Sequence, residues 1–129
     1  MTTQLSPAVD HFLAAVEAAE IDGCNVWSPD AVVDATVPNW RFHISGQDAI
    51  RAEYAKWFAD PGTFEQLRRL PTEDGEVVEY TLAWTEDGVS HAAHHIHLLT
   101  VERGLIVADT VVCGGRWPAS LLAEMARSA

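Results

Sequence analysis

The chain has 129 residues, 48% of them hydrophobic, and carries 19 acidic against 8 basic side chains for a formal charge of -11 at pH 7. That length suits one domain with a single core, and the acidic balance opposes binding to nucleic acid or an anionic membrane, since both need clustered lysine and arginine to displace counterions. No stretch approaches the ~18 continuous apolar residues of a membrane span and no basic segment with an apolar run behind it opens the chain, so a cytoplasmic protein is expected.

In chain order, Ser6 caps a helix with Pro7 in its first turn, and Val9, Phe12, Leu13, Val16 and Ala19 form a buried stripe until Asp22-Gly23 stops it. A short helical turn is expected over 23–27. Ser28-Pro29-Asp30 leads into an apolar run over 31–37 that reads as a strand ended by Pro38, and the segment holding Trp40 and His43 reads as a loop. Ser45 stands three residues before Asp48 as in a capping box, and Ile50, Tyr54, Trp57 and Phe58 recur at helical spacing, so a second helix runs to Asp60-Pro61-Gly62. Asp74-Gly75, Asp87-Gly88 and Arg103-Gly104 then punctuate strands over 63–70, 76–85, 89–100 and 105–114, a four-stranded antiparallel meander. Val78, Tyr80, Leu82 and Trp84 share the face that packs under the helices. Pro118 opens a C-terminal helix over 119–127 with Leu121, Leu122 and Met125 on one side. The acids Glu73, Asp74, Glu76, Glu86 and Asp87 fall at turns and read as solvated. Cys24 and Cys113 fit no metal-ligand spacing and read as reduced thiols without a redox role.

Asp109 is the residue that points to a site. It interrupts the apolar run from Leu105 to Cys113, and a buried carboxylate is costly unless it is paired or lines a cavity. His91, His94, His95 and His97 crowd the strand before it. If the hairpin turn pairs Thr100 with Leu105, then Ile96 lies opposite Asp109 and His94 opposite Val111, with His94, Ile96 and Leu98 on the inner face. A carboxylate that orients an imidazole makes an acid/base pair near neutral pH, so Asp109 with His94, or with His43, is the candidate catalytic pair. The same residues also fit ligand orientation without catalysis, or a purely structural Asp bonded to an indole or backbone N–H. That register turns His91, His95 and His97 outward. His95 and His97 have the spacing of a metal-binding pair, but no third ligand shares their face, so no metal is expected. Asp34 reads as a partner for Arg41 or His43. Trp40, Trp57, Trp84 and Tyr54 are candidate walls of a cavity for a flat apolar ligand, with Arg116 and Trp117 at its mouth.

The order of elements, with FLAAVEAAEIDG at 12–23, GQDAIRAEYAKWF at 46–58 and GLIV at 104–107, resembles the cone-shaped fold of nuclear transport factor 2-like proteins, ketosteroid isomerases and SnoaL-like polyketide cyclases. The resemblance implies one α+β domain over 1–129, in which a curved mixed or antiparallel sheet holds the N-terminal helices on its concave face. It places Phe12, Val37 and Ile96 in the pocket, where the isomerases have an oxyanion Tyr, a general-base Asp and a second oxyanion acid. Apolar side chains can neither donate to an enolate nor move a proton, so that reaction does not carry over. The His and Asp that the cyclases place on their last strand fall at Asp109 and Val111, which implies that Asp109 faces the pocket with Val107, Val111 and Cys113 beside it.

The expected function is binding of a small, largely apolar molecule, such as a polyketide, terpenoid or steroid-like compound. Cofactor-free isomerisation, cyclisation, dehydration or epoxide opening would use Asp109 as the acid/base. The alternatives are a carrier without turnover and an interaction module. Apolar residues at both parities of strands 89–100 and 105–114 further predict a homodimer through the outer face of the meander.

Overall fold

Ser6 opens the first helix as its position predicts. In the computed structural model, which describes residues 5–128, its hydroxyl accepts the Ala8 N–H at 3.2 Å and Pro7 begins α1 (Pro7–Ala18). The helix ends ahead of Asp22-Gly23: Ala19 turns left-handed at φ 57°, and Asp22-Gly23 falls in a 3₁₀ turn (Ile21–Gly23). β1 (Trp27–Val37) starts at Trp27 rather than Ala31.

The expected loop after it is a strand, β2 (Trp40–Ser45). Pro38-Asn39 makes the hairpin, with Pro fixing the first turn position and Asn39 taking φ 65° at the second. α2 (Gln47–Trp57) is capped by Gly46 at φ 93° with no side-chain bond, so Ser45 forms no capping box. The meander follows as β3 (Gly62–Thr72), β4 (Gly75–Glu86), β5 (Val89–Glu102) and β6 (Leu105–Pro118), then α3 (Ala119–Ser128).

The six strands form one mixed sheet in the order β2-β1-β6-β5-β4-β3, antiparallel throughout except that β1 runs parallel to β6. α1 and α2 pack on its concave face. Val9, Phe12, Val16, Ile50 and Tyr54 are buried there against Val78, Tyr80, Leu99 and Val111, each contributing about 1.5–3 kcal/mol of hydrophobic free energy. No described helix is long and apolar enough to cross a membrane.

The β5–β6 register departs from the expected one and decides the site. Arg103 and Gly104, both at positive φ, form a two-residue turn, so Leu105 pairs with Glu102 and not with Thr100. A bulge at Val107 then adds one residue to β6, so that Thr100 pairs with Ala108, Leu99 with Asp109 and His97 with Val111. One extra residue exchanges the two faces of a strand. Asp109 is thereby turned to the same face as His95 and His97, which point inward opposite Tyr80 and Val78 of β4, while Ile96 and Leu98 point outward at 41% and 51% exposure.

Glu76, placed among the solvated turn acids by its position in the chain, is fully buried. Arg69 Nε and Nη2 donate to its two oxygens at 2.8 and 2.9 Å, and the Ser6 N–H donates at 2.6 Å. Arg69 also pairs with Asp10, which ties α1 to β3 and β4.

Candidate functional site

Inside the core, α2 and three strands bring a row of polar side chains into continuous hydrogen bonding. Tyr54 donates to Asp109 Oδ2 at 2.5 Å, and His97 Nδ1 lies 3.0 and 3.1 Å from the two Asp109 oxygens. The Tyr80 hydroxyl stands 2.9 Å from both His97 Nε2 and His95 Nδ1. His95 Nε2 is 3.1 Å from Cys113 Sγ, which also accepts the Gly115 N–H at 3.4 Å. Strand pairing sets this geometry, because Tyr80 is directly opposite His95 on β5, and His95 is opposite Cys113 on β6.

The protons along the row follow from its chemistry. Burial first, then the Asp109 charge, raises the pKa of Tyr54 and of Tyr80 well above the ordinary phenol value, so both keep their protons. His97 Nδ1–H donates to Asp109, which leaves the His97 Nε2 lone pair to accept the Tyr80 hydroxyl. The Tyr80 oxygen accepts the His95 Nδ1–H in turn, and the His95 Nε2 lone pair faces the Cys113 thiol. Burial, and after it His97 and His94, lowers the His95 pKa to about 3, so this imidazole is neutral at pH 7. Burial raises Cys113 against the pull of the Gly115 N–H and Arg116, which keeps its sulfur as the thiol.

The row ends at the wall of an open cavity of about 300 Å³, to which His95 and Cys113 both contribute. That volume is at the small end for ligand pockets. The other walls are mainly apolar: Trp57 and Phe58 from α2, Leu82 and Trp84 from β4, Ala93 from β5, and Val37 with Pro38. The Trp57 and Phe58 rings are each centred 5.7 Å from the His95 ring. Lys56 and Arg116 are the charged lining side chains, and Arg116 lies 5.0 Å over the Trp84 ring while donating to Glu86 at 2.5 Å. Gly114-Gly115 forms a second bulge in β6 beside the cavity; Gly115 sits at φ 119°, a conformation that favours glycine.

Of the side chains singled out in the sequence for the cavity, Val37, Trp57, Trp84, Cys113 and Arg116 line it. Asp109, 2% exposed, lies behind the wall, bonded to His97 on β5 and Tyr54 on α2, and Phe12 and Val111 are core residues. His94 does not meet Asp109: it faces outward and bonds to Thr81 and Glu79 at 2.9 Å each. His43 is exposed on β2, 3.7 Å from Asp34, whose main partner is Arg41 at 2.9 and 2.6 Å. Trp40 is 70% exposed, and Ile96 is on the outer face. His95 and His97, expected to face outward, are the histidines of the row. Tyr80 carried the signal for them. The Asp87-Gly88 turn pairs Glu86 with Val89, which sets Tyr80 opposite His95, and a buried phenol needs polar partners. Among the described residues no three His, Cys, Asp or Glu side chains are grouped to hold a metal ion.

No curated protein matches the chain. Among solved structures it is similar to an inferred isomerase from Bacillus subtilis (TM-score 0.67, 16% identity, 83% of this chain and 84% of that one). It is also similar to an inferred polyketide cyclase from Pseudomonas putida (TM-score 0.64, 17% identity, 82% and 88%). A third is a protein from Catenulispora acidiphila with a ketosteroid isomerase-like fold, in complex with trimethylamine (TM-score 0.62, 16% identity, 84% and 85%). At these identities the likeness is one of fold, whereas the sequence profile of the SnoaL-like domain matches residues 9–108 directly, and the chain therefore belongs to the SnoaL-like domain family.

Proposed function

We propose that the protein binds a small, largely apolar molecule in this cavity and carries out cofactor-free proton transfer on it. His95 Nε2 is the group in contact, and the His97–Asp109 pair is the proton store behind it. The observation that carries this reading is the unbroken row of hydrogen bonds from Asp109 to the cavity wall. A proton taken at His95 Nε2 releases the Nδ1 proton to Tyr80, whose own proton passes to His97 Nε2. The charge then rests on a His97 imidazolium against the Asp109 carboxylate and not on His95, which is buried without a counter-charge. His95 is left carrying Nε2–H and can return a proton to a different atom, as isomerisation, cyclisation and dehydration require.

A tryptophan-fluorescence titration with 2-tetralone, followed by NMR of its α-hydrogen exchange in D₂O, tests this. Saturable binding with protein-dependent exchange supports an enzyme, and saturable binding without exchange supports a carrier. Absence of binding at millimolar ketone overturns both. We also propose a homodimer through the outer sheet face, where Val32, Ile96, Leu98 and Val112 are exposed together. A single monomeric boundary in sedimentation at micromolar protein would rule it out.

A further inference from the structure

Cys113, beside His95, is a nucleophile that proton transfer leaves unused. The sulfur stands 3.1 Å from His95 Nε2, Tyr80 holds the other nitrogen of that imidazole, and the Gly115 N–H donates to the sulfur. A nucleophile, a base within hydrogen-bond reach and a third group orienting the base is the arrangement that activates thiols and hydroxyls. Both side chains line the apolar cavity, whose charged lining groups are the cations Lys56 and Arg116. Cys24, by contrast, is buried in the core with its sulfur toward the His11 carbonyl.

We propose that Cys113 is a covalent attachment site for an apolar α,β-unsaturated carbonyl compound, an inference that rests on the cavity being a small-molecule site. As the sulfur bonds to the β-carbon, the Cys113 proton passes to His95 Nε2 and the C=C electron pair moves through the conjugated system to leave an enolate. The His95 Nδ1 proton moves at the same time to Tyr80 and the Tyr80 proton to His97 beside Asp109. Return of the proton from His95 to the α-carbon completes addition of S–H across the double bond, with no oxidant or further reactant. Lys56 and Arg116 match the transient negative charge on the enolate. Acyl transfer fits less well, because the Gly115 N–H that could face an oxyanion is already bonded to the sulfur. Burial keeps the sulfur as a thiol, so a small polar alkylating agent gains only what the His95 base supplies, whereas a flat enone that fills the space between Trp57, Phe58 and Trp84 is in addition held against the dyad.

The test incubates the full chain at neutral pH with 4-phenylbut-3-en-2-one or iodoacetamide and follows adducts by intact mass and peptide mapping. N-acetylcysteine serves as the free-thiol reference, and binding of saturated 4-phenylbutan-2-one is read by tryptophan fluorescence. The expected result is one adduct, on Cys113, with a preference for the enone over iodoacetamide at least about tenfold greater than that of N-acetylcysteine. Cys24→Ala retains it, Cys113→Ala abolishes it, and His95→Gln slows it at least about tenfold. Tyr80→Phe removes the orienting hydroxyl but keeps the ring; it also slows attachment, and it stands in for His95→Gln if that variant does not fold. An adduct on Cys24, no enone preference, or an unchanged rate in these variants overturns the proposal. Binding of the saturated ketone without attachment of the enone overturns it while the cavity reading stands, and neither binding nor attachment overturns both.

Discussion

Glu76 and Asp109 are both buried carboxylates on the same sheet, and their partners give them opposite characters. Glu76, 0% exposed, is held by Arg69 through both oxygens and by the Ser6 N–H. A guanidinium keeps its proton at every accessible pH, so this pair is a fixed clamp between α1 and the far strands. Asp109, 2% exposed, is held by a phenol and an imidazole, and the row continues through Tyr80 and His95 to a cavity. Burial alone therefore does not separate the two carboxylates. The mobility of the proton on the partner does.

The largest effect expected from this contrast is on stability. Arg69→Met keeps much of the side-chain bulk but leaves Glu76 buried without a counter-charge, which should cost about 3–5 kcal/mol in denaturant unfolding while ketone binding in the cavity persists. An unchanged unfolding midpoint would show that Glu76 needs no fixed cation. Acid should act next, through His95. Its pKa lies at about 3 in the folded chain against an ordinary 6.5, so below about pH 6.5 the unfolded chain gains a proton that the folded chain refuses. The stability present above that pH is then lost progressively toward pH 3, by a few kcal/mol. Urea melts across that range should show this limb in the wild type and flatten it in His95→Gln, and superimposable limbs would assign it to other groups. Smallest in energy is Asp109→Asn, which still accepts the Tyr54 hydroxyl but cannot balance a charged His97. Ketone exchange should fall roughly 10²-fold or more with binding and melting temperature little changed. A large loss of melting temperature with unchanged exchange would place Asp109 in the same class as Glu76.

Much of the architecture was legible locally. The Ser6 cap, the apolar stripes of α1 and α2, and the turn residues Asp87-Gly88 and Arg103-Gly104 are short-range signals and all are present, although the second turn spans two residues where the expected pairing of Thr100 with Leu105 made it four. β2 was not recognised, although Pro38-Asn39 is good chemistry for a turn with positive φ at its second position, and Phe42 and Ile44 alternate with exposed neighbours. Trp40 shares their parity yet lies at the hairpin end, so alternation alone did not bury it.

The sequence by itself determined that Asp109 sits in a core strand with histidines on the strand before it, because hydrophobic alternation and turn residues act over a few positions. Only the tertiary structure decided which histidines meet it. One extra residue at Val107 turned Asp109 to the face of His95 and His97 and away from His94 and Ile96, and nothing in the apolar text of that strand announces a bulge. Tyr54 reaches Asp109 through a contact spanning 55 residues. The burial of Glu76 likewise depends on Arg69 and on a helix far ahead of it in the chain. Local propensity carries no information about such pairings, which the closing of the sheet around the helices selects as the arrangement that leaves these buried polar groups bonded.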